Sequence, residues 1–249
     1  MTVKREVIMP RMESPPIVPV VFVVDDDISV RESLEPLIAF EGWKAVMCAS
    51  AKEFLEQQRT AVPSCLILDI SLPDLNGLDL QEQLGDRTEI PIIFITGYGD
   101  VPMTVKAMKA GAVEFLMKPF PDDVLIKAIR YALDRSATAL EDESALQSIR
   151  DGHSSLSRRE REVMALVVAG LLNKQVGFEL GISEITVKAH RGQVMRKMKA
   201  RSLPDLVNMN ARLRLPEAQS SKVEHPPSLT DPMVSGTPSS NKSAPKTVT

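Results

Sequence analysis

Val20-Val21-Phe22-Val23-Val24-Asp25-Asp26-Asp27 sets five consecutive apolar residues directly before three carboxylates. The run does not alternate with polar residues. It therefore reads as a strand buried on both faces, as in a parallel sheet. The pattern recurs. Cys65-Leu66-Ile67-Leu68 runs into Asp69, Ile92-Ile93-Phe94-Ile95 into Thr96, and Ala112-Val113-Glu114-Phe115-Leu116-Met117 into Lys118-Pro119. In a parallel sheet ligands gather at the carboxyl ends of the strands, where strand order reverses. The four runs would deliver carboxylates, a hydroxyl and an ammonium to one rim. That set suits a divalent cation and a phosphoryl group on an aspartate.

Helical patterns separate these runs, at about Val30 to Phe40, Lys52 to Gln58, Gly77 to Leu84, Val101 to Lys109 and Asp122 to Arg135. Lys44 to Cys48 is a less apolar strand, expected at an edge. Five strand-helix units imply an α/β domain with right-handed crossovers over residues 20–136. Pro36 falls inside the first helix, where it removes one backbone bond.

The 249 residues leave room for two modest domains, and 43% hydrophobic residues supply real cores. No apolar run approaches membrane-spanning length. The segment Met1 to Pro19 holds charges and four prolines without an unbroken apolar core, unlike a signal peptide, and reads as a disordered arm. Cys48 and Cys65 lie in or beside strands without metal-ligand company, as expected of reduced, buried thiols in a cytoplasmic protein. The net charge of -3 conceals a split. Residues 20–136 carry 11 Lys and Arg against 19 Asp and Glu, whereas residues 153–215 carry 12 against 5. The basic part favours a polyanionic partner.

Residues 137–155 are polar and rich in Ser, Glu and Asp, and read as a linker, either helical or flexible. Residues 156–215 are helical throughout by pattern. Ser157 and Glu160 stand at capping-box spacing. A short helix from Leu172-Asn173 to Leu180 closes at Gly181, Ser183 caps a third helix to about Ala200, and Leu203 to Leu213 forms a fourth. Residues 216–249 hold Pro, Ser, Thr and Lys with few apolar groups, a composition expected to stay disordered.

Asp25, Asp26 and Asp69 carry the strongest chemical signal. Taken singly, each fits a solvated turn or a helix cap. Converging at one sheet edge, they repel one another and raise one another's pKa. A hard cation removes that cost, and Mg²⁺ suits one to three carboxylates, a carbonyl and waters. Thr96 offers a hydroxyl, or a simple strand-end hydrogen bond. Lys118 is a surface lysine unless a cis bond to Pro119 turns its head across the rim, toward a carboxylate or phosphoryl oxygen.

The joint pattern Val-Val-Asp-Asp-Asp, Leu-Ile-Leu-Asp-Ile-Ser-Leu-Pro-Asp-Leu-Asn-Gly, Phe-Ile-Thr-Gly and Phe-Leu-Met-Lys-Pro-Phe resembles the receiver domain of two-component response regulators. The resemblance implies a flavodoxin-like fold with a parallel five-stranded sheet in the order 2-1-3-4-5. It makes Asp69 the phosphoacceptor. Asp25, Asp26, Asp69 and the backbone carbonyl of Ser71 become ligands of Mg²⁺. Thr96 and Lys118 would contact the phosphoryl group, and Phe115 would be the rotating switch aromatic. Ser71-Leu72 departs from the more common basic-then-Met pair before Pro73. A rival class, phosphatases of the haloacid dehalogenase type, needs a second Asp two residues after the nucleophile as general acid. Ser71 stands there instead, so a regulator rather than an enzyme is expected.

In the basic part, Leu180-Gly181-Ile182 followed by Ser183-Glu184-Ile185-Thr186-Val187-Lys188-Ala189-His190-Arg191 has helix-turn-helix spacing. The helix after Ser183 would lie in a major groove. Helical spacing groups Glu184, Val187, Lys188 and Arg191 on an outward face, with Ile185, Ala189 and Met195 as core candidates. An ordinary helical bundle with a solvated charged face is the plainer alternative. The stretch from Leu156-Ser157-Arg158-Arg159-Glu160 through Met195-Arg196-Lys197-Met198 resembles the LuxR-type DNA-binding domain, an all-α unit of four helices. The whole is similar to regulators of the FixJ class. Gln175-Val176-Gly177 departs from the usual Glu-Ile-Ala, and Gly177 should weaken its helix by up to ~1 kcal/mol. The resemblance implies promoter DNA, a sensor histidine kinase and RNA polymerase as partners, with no membrane. Thr186, His190, Arg196 and Lys197 become further candidate DNA contacts. It also implies homodimerisation on phosphorylation, through a face near Val105, Lys109 and Phe115. The alternative is a phosphorylation-independent DNA-binding protein whose receiver only dimerises.

Overall fold

The computed structural model describes residues 17–58, 61–85 and 90–214. The expected tail, and the arm up to residue 16, lie outside the described residues. Five strands, β1 (Val20–Val24), β2 (Lys44–Cys48), β3 (Ser64–Asp69), β4 (Ile92–Thr96) and β5 (Glu114–Met117), form one parallel sheet in the order β2-β1-β3-β4-β5. The order reverses between β1 and β3, and that point brings Asp25 and Asp69 to the same rim.

The unbroken apolar runs are explained by helices on both faces. Val20, Phe22, Val24, Leu66, Leu68 and Phe94 point to one side. There they meet α2 (Ala51–Leu55), α3 (Gly77–Leu84) and α4 (Val101–Lys109). Val21, Val23, Cys65, Ile67, Ile93 and Ile95 point to the other, onto α1 (Ile28–Phe40) and α5 (Asp122–Ser154). The two-residue strand period thus splits each run between two cores. Helix α1 runs through Pro36. Cys48 and Cys65 are free and buried, and burial pushes the Cys48 thiol up to about 11.

Helix α5 spans 33 residues. Its first half fills the receiver core with Leu125, Ile129 and Leu133, and its end sets Ile149 into a second core. The stretch expected as a linker is therefore helix, continuous with the last helix of the sheet domain. Ala, Leu, Glu and Gln favour helix through this stretch, which contains no proline. Gly152 is tolerated because the end of a neighbouring helix packs on it: a Cβ there would lie 3.0 Å from the Lys197 carbonyl oxygen.

Four further helices follow: α6 (Arg158–Val168), α7 (Asn173–Leu180), α8 (Glu184–Lys197) and α9 (Leu203–Arg214). Ser157 and Glu160 close a complete capping box on α6. Gly181 ends α7 in the left-handed region at φ 65°, where glycine carries no Cβ penalty. Gly177 lies against the α7–α8 turn, and a Cβ there would sit 2.7 Å from the Ile182 carbonyl oxygen. This contact accounts for the glycine that propensity alone disfavours.

Candidate phosphoacceptor site and nucleic-acid interface

Strand ends build the acidic site. Asp25 follows β1 and is fully buried; Asp69 ends β3 and is nearly so; Asp26 is exposed beside them. One carboxylate oxygen from each lies within 4.8 Å of the others. The Lys118–Pro119 peptide is cis, and the Lys118 ammonium reaches across the rim. Its Nζ stands 2.6 Å from Asp25 Oδ2 and 2.7 Å from Asp69 Oδ2. The remaining oxygens are held by backbone. Asp25 Oδ1 accepts from Asp27 N–H at 3.0 Å, and Asp69 Oδ1 accepts from Ser71 N–H at 3.0 Å.

Burial raises the Asp25 pKa, against the opposing pull of Lys118. For Lys118, burial works to lower the pKa, but hydrogen bonds to Asp25 and Asp69 outweigh it and the net direction is upward. One ammonium among three carboxylates leaves negative charge uncompensated. The cluster fits a hard divalent cation, with oxygen donors of the type such an ion takes.

Thr96 is buried at the end of β4, and its hydroxyl is engaged. Oγ1 donates to the Tyr98 carbonyl at 3.1 Å and accepts from Tyr98 N–H at 3.2 Å. Gly99, which follows Tyr98 along this loop, lies on Phe115: a Cβ there would be 3.0 Å from Phe115 Cε1 and 2.6 Å from Met117 Sδ. Phe115 itself is half-buried, 6.3 Å between ring centres from Phe94. The loop from Thr96 to Gly99 thus touches both residues that the sequence singled out. Arg31 belongs to no motif legible in the sequence. It donates from Nη1 to the Asp25 carbonyl and so holds the loop that carries Asp25 and Asp26. A contact to a backbone oxygen leaves no spacing signal in a sequence.

Val105 and Lys109 are exposed on α4, and Val101 and Met108 share that helix face by spacing and are exposed too. These residues make a partly apolar surface strip.

In the helical domain Ser183 caps α8 by accepting from Thr186 N–H at 3.1 Å. The expected faces of α8 need correction. Val187 is fully buried, packed with Val163, Val167 and Val176, and is no DNA contact. Ile185 is 80% exposed and Ala189 is exposed too, so neither belongs to the core. Met195 does pack inward. Glu184, Thr186, Lys188 and Arg196 are exposed, with Lys188 Nζ 3.0 Å from Glu184 Oε1. His190 and Arg191 are half-buried, and Arg191 donates to Asn173 at 3.2 Å. Lys197 is turned back into the domain: its ammonium lies 2.7 Å from Glu160 and 3.1 Å from the Ser155 carbonyl. Its place as a DNA contact is corrected to a structural ion pair. That hydrogen bond and the Ser157 backbone N–H hold the Glu160 pKa down at about 2.

Comparisons with known proteins agree with this geometry. The response regulator receiver domain model matches residues 21–130, and the model of bacterial regulatory proteins of the luxR family matches residues 154–210. Nodulation protein W of Bradyrhizobium diazoefficiens is 51% identical over 195 residues, covering 78% of this chain and 86% of that protein. The transcriptional regulatory protein FixJ of Rhizobium meliloti is 46% identical over 190 residues, covering 76% and 93%. The solved structure of the response regulator StyR matches with a TM-score of 0.71 at 45% identity, covering 78% of this chain and 99% of that one. Fold and site define a receiver domain followed by a LuxR-type helix-turn-helix domain. The chain belongs to the two-component response regulators of the FixJ class. Among the described residues no helix is long and apolar enough to cross a membrane.

Proposed function

We propose that a cognate sensor histidine kinase phosphorylates Asp69, and that the phosphorylated chain dimerises on promoter DNA to regulate transcription through RNA polymerase in the cytoplasm. The observation that carries this reading is the Lys118 ammonium bridging Asp25 and Asp69 at one rim. An Asp69 carboxylate oxygen forms the bond to phosphorus while the bond from phosphorus to the donor's imidazole nitrogen breaks. Lys118, already beside Asp69 Oδ2, supplies a positive charge to the transferred group. Asp25, Asp26, Asp69 and the Ser71 carbonyl would hold Mg²⁺, which supplies charge neutralisation when bound. Thr96 must exchange its bonds to Tyr98 for one to a phosphoryl oxygen, freeing the loop that rests on Phe115. Phosphorylation acts as a population shift between two arrangements of that loop.

The open first turns of α8, with Glu184, Thr186 and Lys188 exposed, favour dimerisation over unmasking as the step that phosphorylation controls. The strip around Val105 and Lys109 is the assigned dimer face. Incubation with a labelled small phosphodonor and Mg²⁺ tests the centre of the proposal. The wild-type chain should take up one label and Asp69→Asn none, with the fold of the variant intact by circular dichroism. Undiminished labelling of Asp69→Asn would place the acceptor elsewhere.

A further inference from the structure

The first turn of α8 holds one large side chain without a protein environment. Ile185 is 80% exposed, although the helix is anchored on its other side by buried Val187 and Val194. The polar groups around it already have partners. Thr186 and Ser183 hydroxyls lie 2.8 Å apart, and Glu184 is paired with Lys188. Ile185, Lys188, Ala189 and Gly192 follow helical spacing and are all exposed, so they share the outward face. No heavy atom lies within 4 Å of a Cβ built on Gly192. Beyond Ile185 this face is small apart from one cation, which lets the helix sit deep in a groove.

We propose that Ile185 is a specificity-determining residue that packs on the C5-methyl group of a thymine in the major groove. The inference rests on the DNA-binding reading of this domain and deepens it. Major-groove edges present donors and acceptors at every base pair, but only thymine presents an apolar group there. The domain is basic, with 12 Lys and Arg against 5 Asp and Glu over residues 153–215, so charge complementarity favours a polyanion as its partner, and the exposed Ile185 and Lys188 lie on the face of α8 free to meet it. A β-branched side chain on a helix holds essentially one χ1 rotamer. It therefore meets the methyl group with little further ordering. Exposure of Ile185 in the free protein is the cost that this contact reverses.

Replacing thymine by uracil deletes the methyl group and leaves every hydrogen bond unchanged. Duplexes enriched from a random-sequence pool by the full-length chain, after treatment with a small phosphodonor, provide the probe. Each thymine is then replaced singly by uracil. The wild-type chain should bind about fourfold more weakly when uracil replaces the contacted thymine in a half-site, the value of one buried methyl group. Ile185→Ala should bind the thymine and uracil forms equally, and Ile185→Val should restore part of the discrimination. Because the side chain is exposed, all three chains should melt together. Enrichment of a sequence whose binding ignores every uracil substitution overturns the Ile185 contact alone. So does a uracil penalty that persists undiminished in Ile185→Ala. Failure to enrich any sequence overturns the DNA-reading assignment of α8 and the contact with it.

Discussion

Lys118 joins two carboxylates that the chain places 93 and 49 positions away, and its removal leaves both facing each other. Asp25 is fully buried and would then carry a charge with no cationic partner. Lys118→Ala should lower stability at neutral pH by roughly 1–3 kcal/mol, the cost of leaving a buried acceptor without its partner. Added Mg²⁺ should recover more stability in the variant than in the wild type. Urea unfolding with and without Mg²⁺ measures both. In the second domain Glu160 behaves as an acid-sensitive group. Its folded pKa, about 2, lies below the ordinary 4.5. A depressed carboxylate pKa gives stability that is present above about pH 4.5 and is lost as pH falls toward about 2. Glu160→Gln should destabilise the helical domain at pH 7 and flatten that acid limb, as thermal unfolding across pH 2 to 7 would record. These two residues differ in how far the sequence revealed them. Lys118 was legible because it ends an apolar run before proline. Glu160 is legible as a cap, but its partner Lys197 reads as a DNA contact because nothing in the spacing shows a side chain turning inward.

At the scale of elements, legibility followed periodicity. The strands and the rim were readable because each apolar run ends on a chemical group and a parallel sheet aligns those ends. The faces of α8 were not. Ile185 and Ala189 make one helical stripe, and Val187, Val194 and Met198 make another. Both contain β-branched residues, so only the positions of α6 and α7 decide which stripe is buried. The contact between α3 and β3 gives a sharper case. Gly77 opens α3 and donates its N–H to the Ile70 carbonyl at 2.9 Å. A Cβ on Gly77 would lie 2.5 Å from the Asp69 carbonyl oxygen, which is backbone and cannot swing aside. Helix propensity alone predicts that Gly77→Ala stabilises α3 by up to ~1 kcal/mol. Overpacking predicts the reverse, with a net loss of about 1–3 kcal/mol. We expect the loss, along with slower uptake of phosphoryl label because the acceptor strand is pushed from its place. Chemical denaturation and a labelling time course on the same variant separate this from a pure propensity effect, which would raise stability and leave the rate alone.

The whole molecule depends on α5, which contributes buried residues to a core in each domain. Ser136, fully buried, accepts from Ser64 N–H at 3.0 Å and fixes the helix to the start of β3. Ile149 fixes its other end among α6, α8 and α9. Between these anchors residues 141–145 are exposed on every side and include Glu141, Asp142 and Glu143. Arg212 of α9 returns to this stretch, 3.6 Å from Asp142 Oδ1. A helix with two rooted ends fixes rotational phase as well as distance, so it transmits the orientation of the receiver face to α8. Each inserted residue turns the distal end by about 100° and lengthens the rod by about 1.5 Å. Two residues inserted between Glu143 and Ser144 rotate the second domain by about 200°, whereas seven nearly restore the phase while adding about 10 Å. If phosphorylation works by pairing receivers so that two α8 helices meet one DNA face, phase must matter more than length. The seven-residue insertion should keep most of the gain in DNA affinity that a phosphodonor produces, and the two-residue insertion should lose it. Binding without phosphodonor should be alike in both, since each helical domain is intact. Equal gains in the two variants would make α5 a tether rather than a phase-setting rod.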